Sequence, residues 1–280
     1  MTSTTSKKPA QNFRAALVQM CATRDPGENT NLASGLIRQA AADGADYIQT
    51  PEVTTLMETD PATMLSVSEA EHSNKALDTF RTLADELSVW LHIGSMGIKL
   101  PDNKLANRSF VIAPNGDIAA RYDKIHMFDV MLPNEERYSE SDNYAPGRNA
   151  VTVDLPWGKL GLTICYDLRF AYLHRALAHA GADFLAVPAA FTRTTGAAHW
   201  HTLLKARAIE TGCFVFAAGQ TGDHTCGRET YGHSLVVSPW GEILADAGTA
   251  PGVVVADIDV TKVSEVRQQI PALTHDRSFE

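Results

Sequence analysis

Cys165 lies at a point in the chain where a thiol could act as a nucleophile. It ends an apolar run at residues 160–165 that predicts a buried strand, and a helix is predicted to follow over about 168–180. The N-terminus of a helix favours a thiolate, and its free N–H groups can bind a developing oxyanion. A buried structural cysteine would show the same pattern, because free cysteine often packs as a small apolar side chain. The choice between the two therefore depends on the groups that the fold brings near Cys165.

Two charged residues could serve such a nucleophile, which needs a base to take its proton and donors to hold the tetrahedral oxyanion. Glu52 follows Pro51 at the end of a short strand predicted at residues 46–49. Lys124 lies in YDKIH at residues 122–126, where another predicted strand ends. Open α/β folds gather their chemistry at strand ends, so both side chains could converge on the thiol. Taken singly, each is better explained as a solvated surface charge, because most Glu and Lys side chains are exposed.

The elements that would position these residues alternate between strands and helices. Strands are predicted at 13–20, 46–49, 89–98, 108–113, 118–122, 160–165, 184–187, 214–218, 231–237 and 253–258, and helices at about 29–42, 71–87, 168–180 and 197–211, before a polar tail from about Arg267. Alternating βα units combined with hairpins indicate a layered α/β protein with mixed sheets. No repeat or linker divides the chain, so residues 12–280 are predicted to form one domain after a disordered segment at 1–11.

The candidate residues lie in segments whose joint order resembles a known family. PE at 51–52, YDKIH at 122–126 and CYDLRF at 165–170 resemble the Glu, Lys, Cys signature of the nitrilase superfamily of carbon-nitrogen hydrolases. The resemblance runs from ALVQM at 16–20 to RQQIP at 267–271 and includes TGAAHW at 195–200, YGHS at 231–234 and SPWG at 238–241. It implies a four-layer α-β-β-α sandwich, in which two mixed sheets pack face to face beneath outer helices.

The resemblance also implies a role for each candidate. Cys165 would be the nucleophile, Glu52 the general base, and Lys124 a stabiliser of the oxyanion and the intermediate. The backbone N–H of Tyr166 would be the second oxyanion donor. Ammonia would leave with a proton from Glu52, and a water deprotonated by Glu52 would hydrolyse the thioester. This chemistry requires no metal and no cofactor.

A second glutamate belongs to the implied site. YSES at 138–141, followed by APG at 145–147, resembles the segment in which the family carries it. Glu140 would then position Lys124 or the substrate. Glu135 and Glu136 lie close enough in sequence to be alternatives.

The expected substrate is a small amide that bears a carboxylate. CYDLRF and TGAAHW look most like the superfamily branch that includes ω-amidases and deaminated glutathione amidases, which act on such amides. Residues assigned to substrate binding on this basis are Arg169, Phe191, Arg193 and His199, with Arg228 as a further candidate cation. Arg169 could equally pair with Asp167. The sequence does not decide which cation would bind the carboxylate.

The composition limits the partners that this protein can have. The chain has 280 residues, 44% of them apolar, and a formal net charge of -9. A nucleic acid or an anionic membrane surface requires a concentrated positive face, so neither is expected as a partner. No apolar stretch approaches the length of a spanning helix, and residues 1–11 are polar, so a cytoplasmic location is predicted. The resemblance implies a homodimer or a higher homo-oligomer.

Four alternatives stay open on the sequence alone. Nitrile hydrolysis and N-carbamoyl amino acid hydrolysis use the same residues as an amidase. A catalytically silent binding scaffold would have no reason to activate one thiol, so preferential labelling of Cys165 by iodoacetamide would argue against it. A metal site is the fourth alternative, and the residues considered for it are His199, His201, Cys213, His224, Cys226 and His233. It is disfavoured because the imidazoles of HWH at 199–201 would lie on different faces of a helix and no paired CxxC spacing occurs.

Overall fold

Two six-stranded mixed sheets make up the centre of the protein, which a computed structural model describes over residues 12–132 and 137–278. The strands of the first sheet are β1 (Phe13–Gln19), β2 (Tyr47–Gln49), β3 (Trp90–Lys99), β4 (Leu105–Ile112), β5 (Ile118–Asp123) and β16 (Gly252–Ile258). The strands of the second sheet are β8 (Val151–Leu155), β9 (Gly158–Leu162), β10 (Phe184–Ala186), β11 (Phe214–Ala217), β14 (Leu235–Val237) and β15 (Ile243–Asp246). Two short hairpins are formed by β6 (Asp129–Met131) with β7 (Arg137–Ser139) and by β12 (Thr221–Asp223) with β13 (Glu229–Tyr231).

The two sheets share one plan. The strand orders are β16-β1-β2-β3-β4-β5 and β15-β14-β11-β10-β9-β8. In each sheet three central strands are parallel, β1, β2 and β3 in the first and β9, β10 and β11 in the second, and the outer strands are antiparallel. The prediction of mixed sheets is therefore confirmed.

Helices cover the outer face of each sheet. They are α1 (Pro26–Ala42), α2 (Pro61–Val67), α3 (Lys75–Leu87), α4 (Ala171–His179), α5 (Arg193–Thr211) and α6 (Thr261–Gln269). One apolar cluster joins the first sheet to α1 and α3 through side chains such as Val18, Ile37 and Phe80. A second cluster lies between the sheets and extends to α4 and α5. These layers confirm the predicted α-β-β-α sandwich.

Strand β1 shows how the sequence produces the layers, because successive side chains of a strand point to opposite faces. Phe13 and Leu17 belong to the cluster between the sheets, whereas Val18 belongs to the cluster beneath α1 and α3. The Phe13 ring meets the rings of Phe184 and Phe216 from the second sheet, at centroid distances of 5.4 and 6.2 Å. A strand that is buried on both faces needs an almost continuous apolar run, as β1 has.

Two helices begin earlier than the periodicity predicted. α1 begins at Pro26, a residue suited to the first helical position, and the Asp25 side chain accepts hydrogen bonds from the Gly27 and Glu28 N–H groups at 2.8 and 2.9 Å. α5 begins at Arg193 because Thr192 caps it. Polar capping residues lie outside an apolar pattern, so periodicity alone places a helix start too late.

Three other predicted elements differ from the structure. The helix predicted at 71–87 is a 3-10 turn, Glu71–Ser73, followed by α3, because the Asn74 side chain caps a new start. The strand predicted at 231–237 is divided between β13 and β14, because Gly232 and His233 both have positive φ. The polar tail predicted from about Arg267 begins later, since α6 continues to Gln269.

The structure describes only part of the chain at its ends. Residues 1–11, predicted to be disordered, lie outside the described residues, as do 279 and 280. Among the described residues, no helix is both long and apolar enough to cross a membrane.

Gly94 in β3 lies where the two sheets approach the turn after β2. A Cβ atom at this position would lie 2.1 Å from the Thr50 carbonyl oxygen and 2.5 Å from both the Pro51 carbonyl oxygen and the Pro188 Cβ. We predict that Gly94→Ala lowers the free energy of unfolding by about 1 to 3 kcal/mol or more, because backbone atoms would have to move. Urea unfolding measures this loss.

Gly35→Ala in α1 is the matched control for Gly94→Ala. A Cβ at Gly35 has no neighbour within 4 Å, so this change should stabilise the helix by roughly 0.5 to 1 kcal/mol. Equal unfolding midpoints for the two variants would contradict the proposed steric cause.

Candidate active site

A buried lysine lies between two glutamates near the edge of the first sheet. Lys124 Nζ donates to Glu52 Oε1 at 2.9 Å and to both Glu140 carboxylate oxygens at 2.9 and 2.8 Å. The Lys124 side chain is only 2% exposed. One ammonium thus supplies hydrogen bonds to two carboxylates in a place with little water, and we refer to Glu52, Lys124 and Glu140 as the ion triad.

Backbone contacts from several segments hold the ion triad. Glu52 follows β2, and its second carboxylate oxygen accepts from the Ala190 N–H at 2.8 Å, which comes from the second half of the chain. Lys124 follows β5, and its N–H donates to the Asn107 carbonyl at 3.0 Å. Glu140 follows β7, and its carboxylate accepts from the Phe128 N–H at 2.7 Å. Glu135 and Glu136, the alternatives to Glu140, lie outside the described residues.

Asn107 is part of the site but was not singled out from the sequence. It lies on β4, and its Nδ2 donates to Glu52 Oε1 at 3.0 Å and to Glu140 Oε1 at 3.2 Å. It therefore bridges the two carboxylates, to both of which Lys124 also donates. The available signal was an amide side chain inside an otherwise apolar buried strand.

Cys165 occupies a strained turn rather than the start of an α-helix. β9 ends at Leu162, Cys165 begins a 3-10 turn over Cys165–Arg169, and α4 starts only at Ala171. Cys165 has φ of 49°, which is unfavourable for a residue with a side chain. Its N–H donates to the Pro188 carbonyl at 2.9 Å. The first N–H groups of such a turn have no partner within it, so the Tyr166 N–H is well suited to bind an oxyanion.

Asp167 fixes this turn to the segment that carries Lys124. Its carboxylate accepts from the Ile164 N–H at 2.9 Å and from the Tyr122 hydroxyl at 2.6 Å. It also accepts from the His126 N–H at 3.1 Å and contacts the His126 imidazole. Asp167 is therefore occupied by these groups, and the alternative pairing of Arg169 with Asp167 is not what the structure shows.

The protonation states follow from burial and from the neighbouring charges. Burial would raise the pKa of the Glu52 carboxyl, but the Lys124 ammonium outweighs burial and lowers that pKa below its usual value. Burial would lower the pKa of Lys124, but the charges of Glu140 and Glu52 raise it well above its usual value. At neutral pH Glu52 is thus a carboxylate and Lys124 an ammonium.

The pKa of the Cys165 thiol is not lowered in the way that a position at a helix N-terminus would predict. Burial, and then the negative charge of Glu52, raise the pKa of this thiol well above its usual value, although Lys124 opposes them. The expected lowering by a helix dipole does not prevail, since the turn is short and the thiol is out of water. Cys165 is therefore a thiol beside a carboxylate that can take its proton.

These groups line a cavity of about 260 Å³. Its wall includes Glu52, Lys124, Glu140 and Cys165 together with Asn107, Tyr166, Phe191 and Arg228. Met57, Met64, Phe128, Tyr138 and Tyr144 add apolar and aromatic surface. A concave space lined by apolar and aromatic side chains with a few convergent polar groups is typical of a small-molecule site.

The structure separates the candidate cations. Arg228 lines the cavity, and so does Arg137, which was not singled out from the sequence. Arg193 is the first residue of α5 and pairs at the surface with Asp223 and Glu229, away from the cavity wall. This placement argues against the predicted substrate contact of Arg193, because two carboxylates already occupy its guanidinium.

Arg169 and His199 lie next to each other, behind the residues that line the cavity. The Arg169 guanidinium donates toward His199 Nδ1 at 3.3 Å and lies over the Phe191 ring at 5.3 Å. Neither Arg169 nor His199 is among the residues that line the cavity, whereas Phe191 and Tyr166 are. The geometry therefore gives Arg169 and His199 a supporting position, and a direct substrate contact for them stays a prediction.

Known proteins share both the sequence and this architecture. The model of the carbon-nitrogen hydrolase family matches residues 14–268. Deaminated glutathione amidase of Yersinia enterocolitica is 38% identical over 95% of this chain and 94% of its own length. Human omega-amidase NIT2 is 37% identical over 95% of this chain and 96% of its own length. The crystal structure of the C. elegans NitFhit protein superposes with a TM-score of 0.90 at 34% identity, covering 96% of this chain and 66% of that one.

Fold and cavity together define the class, an α-β-β-α sandwich with a cysteine, a glutamate and a lysine in the wall of one cavity. This chain belongs to the carbon-nitrogen hydrolase family. The predicted membership of the nitrilase superfamily, and with it the prediction of a hydrolase that acts on carbon–nitrogen bonds, is confirmed.

We predict that Glu52→Gln lowers the pKa of the Cys165 thiol and yet abolishes turnover. Because the Glu52 charge raises the pKa of Cys165, removing that charge should lower the thiol pKa toward its ordinary value. Turnover should nevertheless be lost, because glutamine cannot accept the proton. The thiol pKa is measured from thiolate ultraviolet absorbance against pH, with Cys165→Ala as the blank.

Glu86→Gln is the control for this prediction, since Glu86 forms a surface ion pair with Arg38. It should leave the Cys165 pKa and the rate unchanged. A Glu52→Gln protein with substantial turnover, or with a higher thiol pKa than the wild type, would rule out Glu52 as the base.

Proposed function

We propose that this protein hydrolyses the terminal amide of a small molecule that also bears a carboxylate, and that it releases ammonia. The observation that carries the proposal is the cavity itself, in which Cys165, Glu52 and Lys124 share a wall with Arg228. The first three residues supply what amide hydrolysis needs. Arg228 supplies a cation for the carboxylate.

The first half of the reaction forms a thioester. Glu52 takes the proton of the Cys165 thiol as the sulfur attacks the amide carbonyl carbon. The carbonyl oxygen becomes an oxyanion, which the Lys124 ammonium and the Tyr166 N–H stabilise. The C–N bond then breaks as Glu52 returns the proton to the leaving nitrogen, and ammonia departs. The acyl group remains on Cys165.

The second half reverses the proton transfers with water. Glu52 takes a proton from a water molecule, whose oxygen attacks the thioester carbon, and the same donors hold the second oxyanion. The C–S bond breaks, the acid leaves, and the proton on Glu52 returns to the sulfur. Glu140 and Asn107 do not touch the reacting bond in this scheme but keep the Lys124 ammonium in place.

The charges around the cavity favour an anionic substrate group at Arg228. The ion triad has two carboxylates and one ammonium, and Arg228 brings the local balance to zero. One Arg228 nitrogen donates to the Ala190 carbonyl at 2.9 Å, which orients the guanidinium, and its Nε is buried without a hydrogen-bond partner among the described residues. Burying an unpaired donor is costly, so a bound carboxylate would satisfy a group that the protein leaves open.

The names of the relatives narrow the trial substrates. Deaminated glutathione amidase and omega-amidase are similar to this chain along nearly its whole length. We therefore propose succinamate, α-ketoglutaramate and deaminated glutathione as the compounds to screen for ammonia release. N-carbamoyl amino acids and simple nitriles complete the screen, because carbon dioxide release or a requirement for a nitrile would favour the two other chemistries.

We predict that Arg228→Gln removes the preference for a free carboxylate. Charge-assisted hydrogen bonds contribute roughly 1.5 to 3 kcal/mol, so the acid should exceed its methyl ester in kcat/KM by about 10 to 150-fold in the wild type. In Arg228→Gln the acid and the ester should have similar values of kcat/KM, because only the value for the acid falls. Steady-state ammonia release at fixed pH measures both.

Two controls accompany the Arg228 experiment. Arg38→Gln removes an equal charge from the α1 surface and should leave both substrates unaffected. Cys165→Ala should abolish turnover of acid and ester alike. Equal rates for acid and ester in the wild type would contradict the acidic substrate but not the cysteine mechanism.

We also infer a homodimer, in which a second copy covers apolar side chains on the outer face of the second sheet. Ile209 on α5 and Trp240 in the turn between β14 and β15 are 54% and 52% exposed. They lie close together, because Ile209 contacts the position of Gly241. The cytoplasmic location likewise stays a prediction.

Sedimentation equilibrium tests the dimer. We predict that Ile209→Lys shifts the protein toward the monomer by more than tenfold in the dissociation constant, because a charge would be buried at the contact. Leu32→Lys, another exposed apolar residue on α1, is the control and should not change the mass. A monomeric wild type, or equal masses for all three proteins, would contradict the inferred contact.

A further inference from the structure

Two histidines and an aspartate meet on the face of the second sheet, outside the candidate active site. His201 lies on α5, His233 lies between β13 and β14, and Asp246 ends β15. The His233 Nδ1 contacts Asp246 Oδ1 at 2.9 Å, and His201 Nε2 contacts Asp246 Oδ2 at 3.3 Å. One nitrogen from each ring and one carboxylate oxygen lie within 4.8 Å of one another.

We propose that His201, His233 and Asp246 bind a divalent transition-metal ion of the zinc type. Imidazole nitrogens and a carboxylate oxygen are ordinary ligands of such ions. Zinc bonds of about 2.0 to 2.1 Å in a tetrahedron place neighbouring ligand atoms about 3.3 to 3.4 Å apart. Asp246 Oδ2 alone lies 3.1 Å from His233 Nδ1 and 3.3 Å from His201 Nε2, and both distances are within a few tenths of an ångström of that separation. Without metal, protons on the two imidazoles bridge these pairs, and one metal ion would replace them.

The ligands are held in place by a further set of hydrogen bonds. Asp246 also accepts from the Gly248 N–H at 2.8 Å, and the His233 N–H donates to the Gly248 carbonyl at 2.7 Å. The Trp200 indole donates to the His233 carbonyl at 2.8 Å. These contacts hold His233 at a φ of 54°, which turns its ring toward Asp246. Such supporting bonds are typical of metal sites, where they orient the ligands.

The site is open enough for an ion to enter. The side chains of His201, His233 and Asp246 are 31%, 23% and 32% exposed. Three protein ligands leave one tetrahedral position for water. None of the three residues lines the catalytic cavity, although α5 and the segment around Arg228 contribute to both places. A bound ion would therefore tie together elements that also form the wall of the active site.

His201 and His233 were among the residues considered for a metal site, but Asp246 was not, and no spacing in the sequence groups the three. HWH at 199–201 puts its imidazoles on different faces, and the structure uses only His201 of that pair, with partners 32 and 45 residues further along the chain. Spacing rules detect ligands that are close in sequence, so a site assembled from a helix, a loop and a strand end escapes them.

Isothermal titration of Zn²⁺ into the full-length Cys165→Ala protein tests the proposal. This background removes the catalytic thiol as a competing ligand and makes the result independent of turnover. We expect one ion per chain and an affinity lowered by at least tenfold in His201→Ala and in Asp246→Asn, since even the loss of a supporting group costs about 10 to 100-fold. His199→Ala, an exposed imidazole on the same helix, should keep the parent affinity.

Two further measurements show whether a variant that loses zinc binding is still folded. The metal-free melting temperature of each variant checks its fold, and His201→Gln, of similar size, should lose zinc binding as His201→Ala does. Zinc should raise the melting temperature of the parent and of His199→Ala but not of the ligand variants. Cobalt should give the visible bands of a tetrahedral site without a thiolate charge-transfer band.

Two results would overturn the metal site. Zinc binding of equal affinity in all the variants would place the ion elsewhere. No zinc binding at all would mean that the cluster is only a hydrogen-bonded pair of histidines around Asp246.

Discussion

The ammonium of Lys124 has to be shared by two carboxylates in a place from which water is almost excluded, and much of the surrounding structure follows from that need. Removing one partner of a buried ion pair typically costs about 3 to 5 kcal/mol, because the remaining charge stays buried without compensation. Each carboxylate therefore has a second set of donors, Ala190 N–H for Glu52 and Phe128 N–H for Glu140. These donors are available only because the fold brings separate segments of the chain into contact.

The same charges determine how the nucleophile works. A helix dipole acting alone would favour a permanent thiolate, but the carboxylate of Glu52 beside the buried Cys165 favours the thiol. The proton is then transferred only when the carbonyl carbon is present to receive the sulfur. The strained φ of Cys165 is sustained by Asp167, which holds the turn to Tyr122 and so to the strand that leads to Lys124. Nucleophile and oxyanion donor are thus positioned relative to each other by one buried carboxylate.

The features that the sequence predicted are local along the chain, whereas those that it missed depend on contacts between distant residues. The mixed sheets and the placement of Glu52 at a strand end follow from local apolar patterns, whereas the sandwich was implied by the resemblance of short segments to a known family. Asn107 could not be selected in this manner, and Arg228 could not be distinguished from the other candidate cations, since their importance comes from partners such as Glu140 and Ala190 that are distant in sequence. The helix starts at Pro26 and Arg193 were misplaced for a related reason, because side-chain caps lie outside the apolar period.

The catalytic groups are divided between the two sheets, which makes their function depend on how the sheets pack. The first sheet supplies Glu52 and Lys124, and the second supplies Cys165 from the turn after β9. Two contacts across this division each join a backbone group to a side chain: the Ala190 N–H donates to the Glu52 carboxylate, and the Gln220 side-chain amide donates to the Glu52 carbonyl at 3.0 Å. Because the sheets close on each other through fixed aromatic packing, a small shift between them would change the distance between base and nucleophile. Interior packing is dense and does not deform smoothly. The apolar layer between the sheets therefore stabilises the fold and also sets the geometry in which a thiol and a carboxylate can exchange a proton.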